Sequence, residues 1–148
     1  MAISFSSQIP FSLKQQARVR KALLVLIRRE KKKAGTISFT FCSDKFLLAL
    51  NKKFLRHNTL TDIITFQYSS TLFSGKALKT NKELSGDLFI SIPRVRENSK
   101  MFGVSFPTEL HRVMIHGVLP LCGYTVKTPA AKKEMTGKED YYLKSSRF

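Results

Sequence analysis

Acidic side chains are scarce in this chain. Ten Asp and Glu stand against 26 Lys and Arg over 148 residues, a net charge of +16. That deficit of negative charge turns the surface toward polyanions, so RNA, DNA or anionic lipid become the expected partners. Long apolar runs are missing as well. No stretch of about 18 uninterrupted apolar residues occurs, which argues against a membrane-spanning helix. The opening segment, MAISFSSQIPFSLKQQ, lacks the basic-then-apolar order of a secretion signal, and the expected location is the cytoplasm. Cysteine is limited to Cys42 and Cys122, far apart in sequence. Neither a disulfide framework nor a paired redox motif is expected from them, and both read as small buried hydrophobes. There is no glycine-rich phosphate loop, and no small-molecule cofactor is apparent.

What is present supports a packed globule. Hydrophobic residues make up 43% of the chain, and 12 of them are Phe. The positive charge is uneven: residues 1–33 hold nine Lys and Arg but one Glu, half of the whole excess. Within that segment the spacing of Val19, Ala22, Leu23, Leu26 and Ile27 predicts an amphipathic helix over 11–34, closed by Gly35. Its opposite face carries Arg18, Lys21, Arg28 and Lys32, the candidate RNA-binding residues. A solvated helix face is the bland alternative for these four cations.

The rest of the chain reads as alternating elements. Residues 36–41 alternate hydroxylic with apolar side chains, as a half-buried strand does. Ser43 is a candidate N-cap for a helix to about Phe54 with Phe46, Leu47, Leu50 and Phe54 on one face. Strands are expected at 62–66 and from Gly86-Asp87 to Ile92, with a polar mobile loop over 69–85 between them. Three helices follow, from Pro93 to about Lys100, from Pro107 to about Cys122 with Gly123 as the stop, and from Thr128-Pro129 to about Lys144. The order α-β-α-β-β-α-α-α, without repeats or a composition break, predicts one α/β domain over 1–148. Its layout is α+β, a small mixed sheet covered by helices.

Four segments carry more specific information. Residues 116–124 read His116-Gly117-Val118-Leu119-Pro120-Leu121-Cys122-Gly123-Tyr124. Thr61-Asp62-Ile63-Ile64-Thr65-Phe66, Gly86-Asp87 before an apolar strand, and Leu50-Asn51 at a helix end precede them in order. Together these resemble the YbeY family of rRNA-maturation factors, over roughly residues 36–143. The resemblance implies a YbeY-like fold, a metal-dependent single-strand endoribonuclease activity, zinc as cofactor, and rRNA and the ribosome as partners.

In the family pattern two histidines stand four residues apart, about 40° around a helix, and a third ligand lies just beyond the glycine-bounded turn. Three such donors leave a position for water, whose pKa the ion lowers. Here His116 keeps its place, but Pro120 and Val126 occupy the other two seats, and neither side chain offers an electron pair. His111 and Cys122 stand about 140° and 120° from His116 on a helix and do not replace them. Pro120 also removes the N–H that would bond the carbonyl of residue 116, so the helix is expected to suffer there, ending as much as a turn early. Leu55 stands where many relatives carry an arginine, with Arg56 adjacent, and Asn58, Pro93 and Val126 stand where acids are expected.

The resulting expectation is a YbeY-like protein that keeps an RNA- and ribosome-facing surface, with hydrolysis weakened or lost and zinc not held tightly. A non-catalytic basic RNA- or ribosome-binding module is the alternative. An anionic-membrane binder using the first helix ranks last, because that helix lacks Trp and needs its apolar face for a core. For His116 the two readings are a residual metal ligand and a helix histidine satisfied by hydrogen bonding. For Asp62 and Asp87 they are acceptors of backbone N–H groups at strand starts and a part in RNA or metal chemistry.

Overall fold

Alternation builds the centre of the molecule. In a computed structural model describing residues 3–68, 83–145 and 148, strand β2 (Lys33–Cys42) sends Ile37, Phe39 and Phe41 to one side, all buried. Ser38 and Thr40 point to the other side. Parallel neighbours flank it: β1 (Ile3–Ser7) on one edge and β4 (Glu83–Ser91) on the other. Strand β3 (Ile63–Gln67) then adds antiparallel to β4, giving the mixed order β1-β2-β4-β3. The small mixed sheet covered by helices is therefore as expected. Strand β1 was not anticipated, although Ile3 and Phe5 alternate with serines and both reach the core.

Helix α1 (Gln16–Arg29) buries the five apolar residues that its spacing marked out. It is shorter than the expected 11–34. Lys31 adopts a left-handed conformation, the N–H groups of Lys31 and Lys32 return to the carbonyls of Arg28 and Ile27, and the chain enters β2 at Lys33. Gly35 is thus a strand residue beside a register shift in the β2–β4 pairing, not a helix stop. Helix α2 (Asp44–Leu55) starts where Ser43 Oγ accepts the N–H of Phe46 at 3.1 Å. With Cys42, Ile64, Phe66 and Phe89 it forms a small second core on the hydroxyl-bearing side of the sheet. Of the expected loop over 69–85, residues 69–82 lie outside the described residues, and Glu83 to Ser85 already belong to β4.

The main core lies on the other side. There α1, α3 (Ile92–Phe102), α4 (Phe106–Val118) and α5 (Pro129–Ser145) contribute to a single cluster. Each of the last three begins with a hydroxyl cap, from Ser91, Ser105 and Thr128. Helix α4 does not run to Cys122. It stops at Val118 and tightens into a 3₁₀ turn, Leu119–Cys122, with Pro120 in that turn's first positions, where no N–H is required of it. Gly123 then closes the turn at φ +106°, a left-handed conformation suited to glycine.

Two glycines let these layers approach. A Cβ on Gly117 would lie 2.3 Å from Ile63 Cδ1 and 2.8 Å from Leu88 Cδ2, so α4 rests directly on β3 and β4. A Cβ on Gly86 would lie 2.6 Å from the backbone oxygen of Phe66, which only a shift of β3 relieves. Gly86→Ala is therefore expected to destabilise the fold by roughly 1–3 kcal/mol, read as a lower urea midpoint at unchanged slope. An unaltered midpoint would show that β3 moves freely and that the approach is not constraining.

Candidate functional site

Where α4 runs out over the sheet, its residues 109 and 116 share one face, seven positions apart. His116 Nδ1 lies 2.5 Å from Glu139 Oε2 on α5. An ionised carboxylate only accepts, so the imidazole N–H is on Nδ1. That hydrogen bond is the main reason the His116 pKa is raised. Burial opposes the shift, and the charges of Glu139 and Asp62 assist it. Arg112 approaches the other Glu139 oxygen at 3.7 Å and pairs with Asp140 at 3.0 Å.

Asp62, just before β3, faces the same place. Burial raises its pKa, against the charge of His116 and the backbone N–H groups of Asp62 and Ile63 that it accepts. Buried Glu109 is raised as well, first by burial and then by the charge of Asp62, and its Oε1 has no hydrogen-bond partner. Both effects act in the same direction, because burial and a neighbouring carboxylate each oppose ionisation.

The turn after α4 is anchored separately. Tyr124 Oη donates to Glu30 Oε1 at 2.7 Å, Tyr142 Oη donates to Glu30 Oε2, and Lys138 Nζ stands 3.4 Å from the same oxygen. Burial alone would raise the Glu30 pKa, but the Tyr142 and Tyr124 hydroxyls and the Lys138 ammonium together outweigh it and hold the carboxyl below its ordinary value.

A catalytic zinc ion requires three protein donors around one open position. Pro120 lies in the 3₁₀ turn and Val126 is exposed on the segment before α5, and neither is a ligand. Neither cysteine offers a ready thiolate, because burial pushes the Cys122 thiol up to about 12 and the Cys42 thiol to about 11. Among the described residues no three His, Cys, Asp or Glu side chains are grouped so as to hold a metal ion. His116 contributes one nitrogen, with its other nitrogen engaged by Glu139. The residues present do not fit a three-donor catalytic cation.

The remaining sequence candidates are dispersed. Arg18, Lys21 and Arg28 are exposed on α1, and Arg18 bonds Gln15 at 3.3 Å. Lys32 lies past the helix end and is half-buried, so the four cations do not share one helical face as expected. His111 is a packing histidine, its ring stacked on Phe148 at 4.9 Å. Asp87 lies within β4 and accepts the hydroxyls of Ser38 and Tyr68 rather than backbone N–H groups. Arg56 ends α2 in a left-handed conformation beside Leu55. Cys42 and Cys122 are both free thiols. No described helix is long and apolar enough to cross a membrane.

A mixed four-stranded sheet of order β1-β2-β4-β3, with α4 ending in His116-Gly117-Val118 ahead of a turn closed by Gly123, defines a small α/β protein of mixed-sheet type. The sequence model of the family described as Endoribonuclease YbeY matches residues 3–147. The chain belongs to that family. It is 43% identical over 142 residues to the Endoribonuclease YbeY of Flavobacterium psychrophilum, covering 96% of this chain and 94% of the relative. It is 39% identical over 144 residues to that of Cytophaga hutchinsonii, covering 97% and 94%. A solution structure from Thermotoga maritima shares the fold at a TM-score of 0.64 and 24% identity, covering 96% of this chain and 87% of that one.

Sequence reasoning missed Glu139, Glu109 and Glu30. A signal existed for the first two. Met135, Glu139 and Tyr142 are the buried positions of α5 at helical spacing, and a carboxylate in that stripe needs a partner. Glu109 occupies the equivalent place on α4. Nothing local marks Glu30, whose partners lie about a hundred residues away.

Because the folded pKa of Glu30 is lowered, its stabilising contribution is complete above the ordinary value of 4.5 and is lost as pH falls through the lower folded value. Glu30→Ala should lose about 1–3 kcal/mol at neutral pH by leaving two phenol hydroxyls unpaired, a difference that narrows as pH falls below 4.5. Urea titrations across that range would read it, and a gap that stayed constant would contradict the assignment.

Proposed function

We propose that the chain acts in rRNA maturation in the cytoplasm, as an RNA- and ribosome-facing protein of YbeY type whose own hydrolytic step is weakened or lost. The observation that carries this reading is the donor set around His116: proline and valine, neither with an electron pair to give a metal, occupy the two partner seats. Without three donors no ion is fixed there to lower the pKa of a water, so zinc is not held tightly and the main source of a nucleophile is missing. Affinity for the RNA does not depend on that ion. It rests on exposed cations, among them Arg18, Lys21 and Arg28, with Lys32 beside them, in a chain of net charge +16. A basic RNA- or ribosome-binding module on the same fold, wholly without hydrolysis, is the second reading, and the loss of two donors favours it equally.

Labelled single-stranded RNA incubated with and without zinc separates activity from binding. Binding without appreciable cleavage is expected, and robust zinc-dependent cleavage by the parent would refute the loss of hydrolysis. Purified Pro120→His, Val126→His protein should carry more zinc than the parent, and equal stoichiometric zinc in both would mean that other donors complete the site. If the four α1-region cations each neutralise one phosphate, affinity for a single strand falls roughly 50-fold between about 50 and 200 mM salt. A salt-independent affinity would remove the electrostatic basis of the proposal.

A further inference from the structure

A cavity of about 340 Å³ opens at the other end of α4 from His116, where the chain leaves β1 and meets α3 and the start of α4. Phe11, Leu13, Phe106 and Leu110 supply its apolar wall, and Lys14, Arg96 and His111 supply its polar groups. Its lining includes no carboxylate, and among the described residues neither Lys14 nor Arg96 is in an ion pair. The Arg96 guanidinium lies 4.7 Å from the centroid of the half-buried Phe106 ring, which meets Phe11 edge-on at 6.0 Å. Burial first, and then the charge of Arg18, lowers the His111 pKa, so the cationic character of the cavity rests on Lys14 and Arg96.

We infer that this cavity binds one nucleotide of a single RNA strand, its base against Phe106 and Phe11 and its phosphate between Lys14 and Arg96. The inference rests on the RNA-binding reading above and adds a specific contact to it. Three features select this occupant. The size lies at the lower end of small-ligand pockets, suited to one base with its sugar. An aromatic wall accepts any base face, and a guanidinium already parked on the ring moves readily to a phosphate or over the base. The rim is cationic with no acid to repel an anion, whereas the site around His116 is lined by Asp62, Glu109 and Glu139 and disfavours phosphate. From Leu110 to His116 is about 9 Å along the helix axis, so a strand held here runs beside the motif end without entering its carboxylate cluster.

The test uses the full chain and a labelled unstructured oligoribonucleotide in fluorescence anisotropy, with amide NMR shifts under adenosine 5′-monophosphate, adenosine and inorganic phosphate as separate probes. Arg96→Gln and Lys14→Gln should each weaken the oligonucleotide and reduce its salt slope by about 1, and Phe106→Leu should weaken it roughly 10-fold at unchanged slope. Lys132→Gln on α5 should do neither. Adenosine 5′-monophosphate should shift the Leu13, Leu110 and His111 amides more than phosphate or adenosine does. Pocket variants that bind as the parent, with folding checked by thermal melting, would overturn the nucleotide site and leave RNA binding by α1 standing. Equal shifts from phosphate alone would reduce the cavity to an anion site and overturn the base contact. A parent that binds no oligonucleotide at low salt would overturn both readings together.

Discussion

Helix α4 lies flat on β3 and β4 because Gly117 presents no side chain to Ile63 and Leu88, and that contact organises the rest of the molecule. Thr65 Oγ1 donates to the Gly117 carbonyl at 3.1 Å, fixing the helix along its axis as well as against the sheet. With α4 seated, Leu110, Val113, Met114, Ile115 and Val118 fill the main core. Its polar residues are sorted by helical angle. Glu109 and His116 turn toward Asp62 and α5, and His111 turns toward Phe148 and the cavity beside β1. Two chemically opposite surfaces are thus produced by a single helix, one gathering carboxylates and the other cations and aromatic rings.

At the carboxylate-rich end the remaining imidazole has a structural partner. Glu139 is nine-tenths buried at its side chain, and a buried carboxylate needs compensating positive charge. His116 and Arg112 provide it. Removing His116 would leave Glu139 facing Asp62 with only the longer Arg112 contact. The same histidine that anchors the family motif is therefore tied to holding α5 against α4. Tightening of the backbone from α-helix to 3₁₀ after Val118 widens the angle between positions 116 and 120 beyond the α-helical 40°, since each 3₁₀ residue turns through about 120°.

Much of the fold was legible in the sequence where the physics is local. The hydroxyl cap at Ser43, the apolar stripe of α1 and the alternation of β2 all depend on neighbours within a few residues, and all formed as read. The early end of α4 was also foreshadowed, because a proline's missing N–H is a property of the residue itself. Strand β1 escaped notice because its five residues gain their meaning only from pairing with β2, more than thirty positions on. The end of α1 was misplaced at Gly35 because Lys31 takes the left-handed conformation that the reading reserved for glycine. At the site, the absence of donors at 120 and 126 was visible at once. The ion pairs around His116 join residues on different helices and were not.

Lys31 and Arg56 show a related economy. Both terminate a helix with φ near +60°, where an L residue is strained by roughly 1 kcal/mol and glycine is not. A chain under pressure for stability alone would place glycine at both points. Keeping long cationic side chains there adds two positive charges at helix C-termini, close to the exposed carbonyl ends that favour them. Backbone ease has been exchanged for electrostatic reach, so replacing either residue with glycine would yield a firmer molecule with a weaker pull on anything negatively charged.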